Sequence, residues 1–161
     1  MTSSSTPYAK AIACGGLLVG VLDGLAAVLT SAAAPMRVFQ SIASGLLGRD
    51  AYQGGLAAAA LGLVLHFFIA TSAAAVFVVA SRRLPVLVRA VVPCGIAYGV
   101  AVFAFMNLVV IPLTFGRLAP YSLPWLLRGL LIHALFVGLP IGLCTRRFAA
   151  PVSDPVLQAA R

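Results

Sequence analysis

Four polar side chains interrupt long apolar runs in this sequence: Asp23, His66, Asn107 and His133. Each falls in a different run. An acid and two histidines in an apolar setting have a limited chemical repertoire. Asp23 can pair with a protonated His66 or His133, and such a group can relay protons or hold an ion. The plainer alternative is a set of hydrogen bonds that fixes helix register. Interhelical polar contacts in membranes average about 0.6 kcal/mol, so a structural role is ordinary. A charge at the centre of a bilayer costs at least about 2.5 kcal/mol. The four positions therefore need an explanation of one kind or the other.

Two histidines on different helices at similar depth can also ligate one haem iron axially. Nothing else in the sequence accompanies that reading, and no cofactor is expected. A zinc site would need three or four ligands at workable spacing. The cysteines Cys14, Cys94 and Cys144 lie towards the other end of the runs, form no CxxC pair, and read as buried thiols acting as small apolar groups. The only carboxylates are Asp23, Asp50 and Asp154, which argues against paired-acid catalysis. GLLG at 45–48 lacks the Lys and Ser/Thr of a phosphate-binding loop. The expectation is a protein that is not an enzyme.

The elements that carry these residues follow from composition. Of 161 residues, 62% are hydrophobic and 9% charged, against about 25% charged in a soluble domain. The expectation is one all-α integral membrane domain in a bacterial inner membrane, a bundle of four transmembrane helices. The runs cover about 11–32, 55–80, 86–112 and 124–144, with tails at 1–9 and 146–161. Each is long enough, at 1.5 Å per residue, to cross a core of about 30 Å. Counted from one end of each helix, all four polar residues fall about 7 to 15 Å deep. They could form one layer. The net charge of +8 arises from basic residues between the runs, which fits loops and lipid headgroups rather than nucleic acid. Lys10, Arg82, Arg83, Arg89, Arg146, Arg147 and Arg161 would share one face, and Arg37, Arg49, Arg117 and Arg128 the other. Seven against four places both termini in the cytoplasm.

Small residues describe how such helices meet. Gly16, Gly20 and Gly24 form a stripe on the first run, Gly95 and Gly99 on the third, and Gly138 and Gly142 on the fourth. Stripes of this kind let backbones approach where lipid supplies no hydrophobic drive. Pro93 and Pro140 are expected to kink their helices.

The stretch PMRVFQSIASGLLGRDAYQGG, residues 35–55, is a further element. Pro35 suits a first helical position and Gly48 the position after a last one. Phe39, Ile42, Ala43 and Leu46 recur at helical spacing, with Arg37, Ser41 and Ser44 on the other side. The spacing predicts an amphipathic helix over 35–47, too short to span and suited to the interface. It would serve as a lid, or as a gate or docking face over the polar layer, with Arg37, Phe39, Gln40, Ser41 and Ser44 as its candidate residues. Arg117, Tyr121 and Trp125 would lie on the same side.

The phrases VFQSIASGLLG, LGLVLHFFIA, FMNLVVIPL and VGLPIGL resemble a family of small, uncharacterised bacterial integral membrane proteins. The resemblance covers roughly 16–147. It implies a four-helix inner-membrane protein and carries over no catalytic or binding residue. Two functional expectations stand beside it. The first is a non-enzymatic structural or accessory component that associates with itself or a larger complex through the glycine stripes. The second is a small ion- or proton-coupled carrier using Asp23, His66, Asn107 and His133.

Overall fold

A computed structural model describes residues 6–116 and 122–149. Arg117, Tyr121, Asp154, Arg161 and most of both expected tails lie outside the described residues. Among those described there is no strand. Five helices carry the fold: α1 (Thr6–Thr30), α2 (Pro35–Leu47), α3 (Gly55–Ser81), α4 (Val91–Phe115) and α5 (Leu123–Ala149). Four of them, all but α2, are long and apolar enough to cross a membrane. Their outward faces are apolar too: Leu29, Leu56 and Leu113 are 81%, 79% and 82% exposed. Such a surface suits hydrocarbon and would be an aggregation liability in water.

Prolines and caps explain the helix limits. Pro7 lies in the first turn of α1, where its missing N–H has no acceptor to lose. As described, α1 already includes Thr6 and so takes in part of the expected polar tail. The third run does not form one continuous helix from residue 86. A single turn, Val86–Arg89, is followed by Ala90 at φ −102° and ψ 51°, and α4 restarts at Val91. The restart puts Pro93 in a first turn, so it does not kink the span as the sequence reading expected. At the start of α5, Ser122 Oγ accepts from Trp125 N at 3.4 Å, and Pro124 follows in the first turn.

Pro112 and Pro140 act differently. Each would press its ring on the carbonyl four residues earlier, at Leu108 and Phe136. Both carbonyls belong to widened π-type turns, Met106–Val110 in α4 and His133–Gly138 in α5. The helices absorb the proline by inserting a residue into the turn. Asn107 and His133 sit in these two turns.

Helix α1 packs between α3 and α5, and α5 packs on α4. The glycine stripes make these crossings. A Cβ on Gly16 would press on Thr71 of α3, and one on Gly20 would overlap the Phe67 ring. A Cβ on Gly99 would overlap the His133 carbonyl, and one on Gly138 would overlap the Gly95 carbonyl and Gly99 N. A Cβ on Gly142 would lie 3.0 Å from the Val91 Cγ2. Every one of these partners lies in the same chain. An apolar cluster of Val19, Ala70, Ala74, Phe77, Val137 and Ile141 fills the centre. Near the described ends, Ala11, Val78 and Ala149 form a second cluster with Tyr8, Ile12 and Phe148. Both ends of the described chain thus lie at one end of the helices, opposite α2.

Helix α2 folds back onto α3. Its carbonyl at Phe39 occupies the space a Cβ on Gly62 would need. So close an approach selects small or flat side chains, and the buried residues are Gln40, Ala43 and Ser44. The expected inward face of Phe39, Ile42, Ala43 and Leu46 is therefore rolled by about one residue. Leu46 is exposed, and Phe39 and Ile42 are half-buried. Gly48 ends the helix at φ 61°.

Substituting Gly138→Ala tests the α4–α5 crossing. It should lower unfolding stability in detergent by about 1 to 3 kcal/mol, the usual cost of overpacking. Ala97→Leu, on an exposed position of α4, should be near neutral. Equal heat or SDS stability of the two variants would contradict the close crossing.

Candidate functional site

Helices α3 and α4 are tied together at Tyr98, whose hydroxyl donates to the Ala73 carbonyl at 2.7 Å. Its ring stands edge-on to Phe77 with centroids 5.0 Å apart. Towards α2 from this tie, a cavity of about 440 Å³ lies between α3 and α4, with α1 and α5 behind it. Asp23, His66 and His133 all line it, from three different helices, and Ser41, Ile42, Gly45 and Leu46 of α2 close one end. The remaining walls are mainly aliphatic, including Ile69, Val102 and Met106.

His66 is held by a notch on α1. Its Nε2 lies 2.9 Å from the Gly20 carbonyl. A carbonyl only accepts, so Nε2 carries the proton and donates, which leaves Nδ1 bare in the neutral ring. Gly24 completes the notch, because a Cβ there would come to 3.2 Å from Nε2. Phe39 and Phe67 stand edge-on to the imidazole at 6.3 and 5.8 Å. The Gly20–Gly24 spacing therefore seats a side chain as well as permitting helix contact.

His133 is satisfied within its own helix. Nδ1 donates to the Gly129 carbonyl at 3.0 Å, so Nε2 is the bare nitrogen. Phe103 packs edge-on at 5.1 Å, over the space Gly129 leaves open. Both histidines thus offer one acceptor nitrogen each in their neutral forms.

Asp23 differs. Its half-buried side chain faces the cavity, and among the described residues no hydrogen bond or ion pair reaches its carboxyl group. The sequence reading paired Asp23 with a protonated histidine, or took it as neutral or hydrogen-bonded to a histidine. In the structure neither contact is present among the described residues, and each histidine bonds a backbone carbonyl through one ring nitrogen. Asn107 departs from the expected layer as well. It is buried, its Nδ2 donates to the Phe103 carbonyl at 2.9 Å, and it is not part of the cavity wall. The cavity therefore gathers three of the four polar residues, and the widened turn in α4 points Asn107 elsewhere.

The α2 residues divide between anchoring and lining. Gln40 Nε2 donates to the Gly55 carbonyl at 3.0 Å, while its buried Oε1 has no partner among the described residues. Ser41 Oγ donates to the Val38 carbonyl at 2.6 Å, and Ser44 Oγ to the Ser41 carbonyl at 2.7 Å. Arg37 donates to the Tyr52 carbonyl at 3.3 Å and stands over the Tyr52 ring at 5.4 Å. These contacts and the Gly62 approach seat α2 firmly. Outside it lies an open vestibule bearing Arg37, Arg128, Tyr52 and Trp125, which shares Ala27 and Ser41 with the cavity. Arg128 thus stands at the α2 end.

The geometry does not fit a haem held by both histidines, because His66 Nε2, the usual axial donor, is bonded to the Gly20 carbonyl. No group of three or more His, Cys, Asp or Glu side chains among the described residues is placed to hold a metal. Tyr98 escaped the sequence reading, although a tyrosine in mid-span was a signal, since its hydroxyl needs a partner there.

An unpartnered carboxylate makes a clear stability prediction. Asp23→Asn should leave the heat or SDS unfolding midpoint in detergent unchanged or raise it. Breaking a buried ion pair would instead cost about 3 to 5 kcal/mol. A loss of that size would show that Asp23 has a protein partner.

No family model matches this chain, and no curated protein and no solved structure matches it.

Proposed function

We propose that this chain is a non-enzymatic multi-pass protein of a bacterial inner membrane, and that the cavity binds a small amphiphile. The ligand class is an apolar body carrying one protonated amine, entering from the bilayer between α3 and α4. The observation that carries this reading is the Asp23 carboxyl group, unpartnered among the described residues and facing a largely aliphatic cavity. A carboxylate in such surroundings is costly until a cation joins it. Among the described residues no Lys or Arg lines the cavity. The bare nitrogens of His66 and His133 add acceptors for its remaining N–H groups and sites for protons. In this reading α2 is an interfacial helix that closes the cavity at the outer face. Both termini are cytoplasmic, as the distribution of Lys and Arg supports.

A second reading has its own observation. His66 of α3 donates to the Gly20 carbonyl of α1, as a residue fixing helix register would, while Asn107 and His133 donate to carbonyls of their own helices. The chain is then a structural or accessory component. Its association with itself or a larger complex would use the lipid-facing surface, because the glycine stripes are occupied within the chain.

Binding of octylamine and octanol to the protein in lipid nanodiscs separates the two. The first reading expects saturable binding of the amine, weakened about tenfold or more by Asp23→Asn, equivalent to about 1.4 kcal/mol. Octanol should show no dependence on Asp23. Equal amine binding by both proteins would sink the cavity proposal and leave the structural one. In proteoliposomes, amine flux by a carrier should also respond to pH and lose that response in a variant lacking Asp23 and both histidines.

A further inference from the structure

Cys14 and Cys144 are 130 residues apart, yet their sulfur atoms lie 2.8 Å from each other across the α1–α5 contact. The sequence reading treated the cysteines as separate apolar thiols, and helix packing has made two of them a pair. From this contact we infer that Cys14 and Cys144 form a reversible disulfide that staples the first spanning helix to the last. The inference does not depend on what the cavity binds.

The backbone is held on both sides of the pair. One residue further along α1, a Cβ on Gly15 would lie 3.7 Å from the Ile141 Cα. Three residues earlier, Ala11 packs in one cluster with Ala149. The sulfur atoms need about 0.8 Å of further approach to reach a bond of about 2.05 Å, within the reach of side-chain rotation. Cys144 is buried and Cys14 half-buried, so an apolar oxidant of low molecular weight has the better access. Cys94 stands apart, with its Sγ 3.6 Å from the Val86 carbonyl, and serves as an internal control.

The oxidant is a small disulfide. One cysteine sulfur bonds a sulfur of the reagent, whose S–S bond breaks and releases one thiol. The second cysteine sulfur then bonds the first and expels the other half of the reagent. The two cysteine sulfurs are oxidised, the reagent is reduced, and the two thiol protons leave on its two halves.

Full-length protein carrying Cys94→Ser, in nanodiscs, is first reduced with dithiothreitol, freed of the reductant and then treated with dithiodipyridine. The expected result is two equivalents of thiopyridone per chain and a mass lower by two hydrogens. Peptide mapping should link Cys14 to Cys144, and dithiothreitol should reverse the link. A stable pyridyl adduct on either cysteine, a link between two chains, or no release of thiopyridone would overturn the proposal. Mapping the same linkage in the unsubstituted chain gives a reading that does not depend on how Cys94→Ser folds.

Discussion

The structure depends on backbone approach at glycine. Lipid tails are as apolar as leucine side chains, so burying more hydrocarbon does little to bring spanning helices together. What remains is close packing, and the seven stripe glycines provide it. Gly99 and Gly138 let α4 and α5 meet main chain to main chain. Gly16 and Gly20 receive Thr71 and Phe67 from α3. The same geometry does chemical work, because the gap between Gly20 and Gly24 exposes the carbonyl that takes the His66 proton. Gly62, outside those stripes, lets α2 lie flat on α3.

The cavity is the counterpart of these contacts. Three neighbouring pairs, α3–α1, α1–α5 and α5–α4, are in intimate contact, and α3 and α4 complete the ring through Tyr98. Beyond that tie the cavity lies between the two helices. The two widened turns fall on this half of the molecule, at Asn107 and His133. Each answers a proline a few residues further on, so the placement of Pro112 and Pro140 shapes where the polar groups point. Widened turns of this kind recur at functional sites, where an extra residue re-aims a side chain.

Much of the fold was legible in local pattern. The four apolar runs, Pro35 and Gly48 as limits of α2, and the glycine stripes need only hydropathy, capping and spacing. The misses share one physical cause. The roll of α2 was set by the depth of Gly62, which favours Ala43 and Ser44 over Ile42 and Leu46 at the contact, and amphipathic spacing within α2 carries no record of that. The first turn around Pro93 depended on the break at Ala90. Cys14 and Cys144 meet because α1 lies against α5, a contact between the two ends of the chain.

By itself the sequence determined that the chain has four apolar helices of spanning length with a short helix between the first two. It also determined that a few polar groups must be accommodated among them, because hydrocarbon leaves a backbone little choice but helix and makes each intramembrane charge costly. The tertiary structure alone decided which of those groups share a space. Rotation of each helix about its axis, fixed by glycine contacts and by the widened turns, brought Asp23, His66 and His133 to one cavity and turned Asn107 away. It left Asp23 unpartnered among the described residues, with each histidine bonded to a backbone carbonyl through one ring nitrogen.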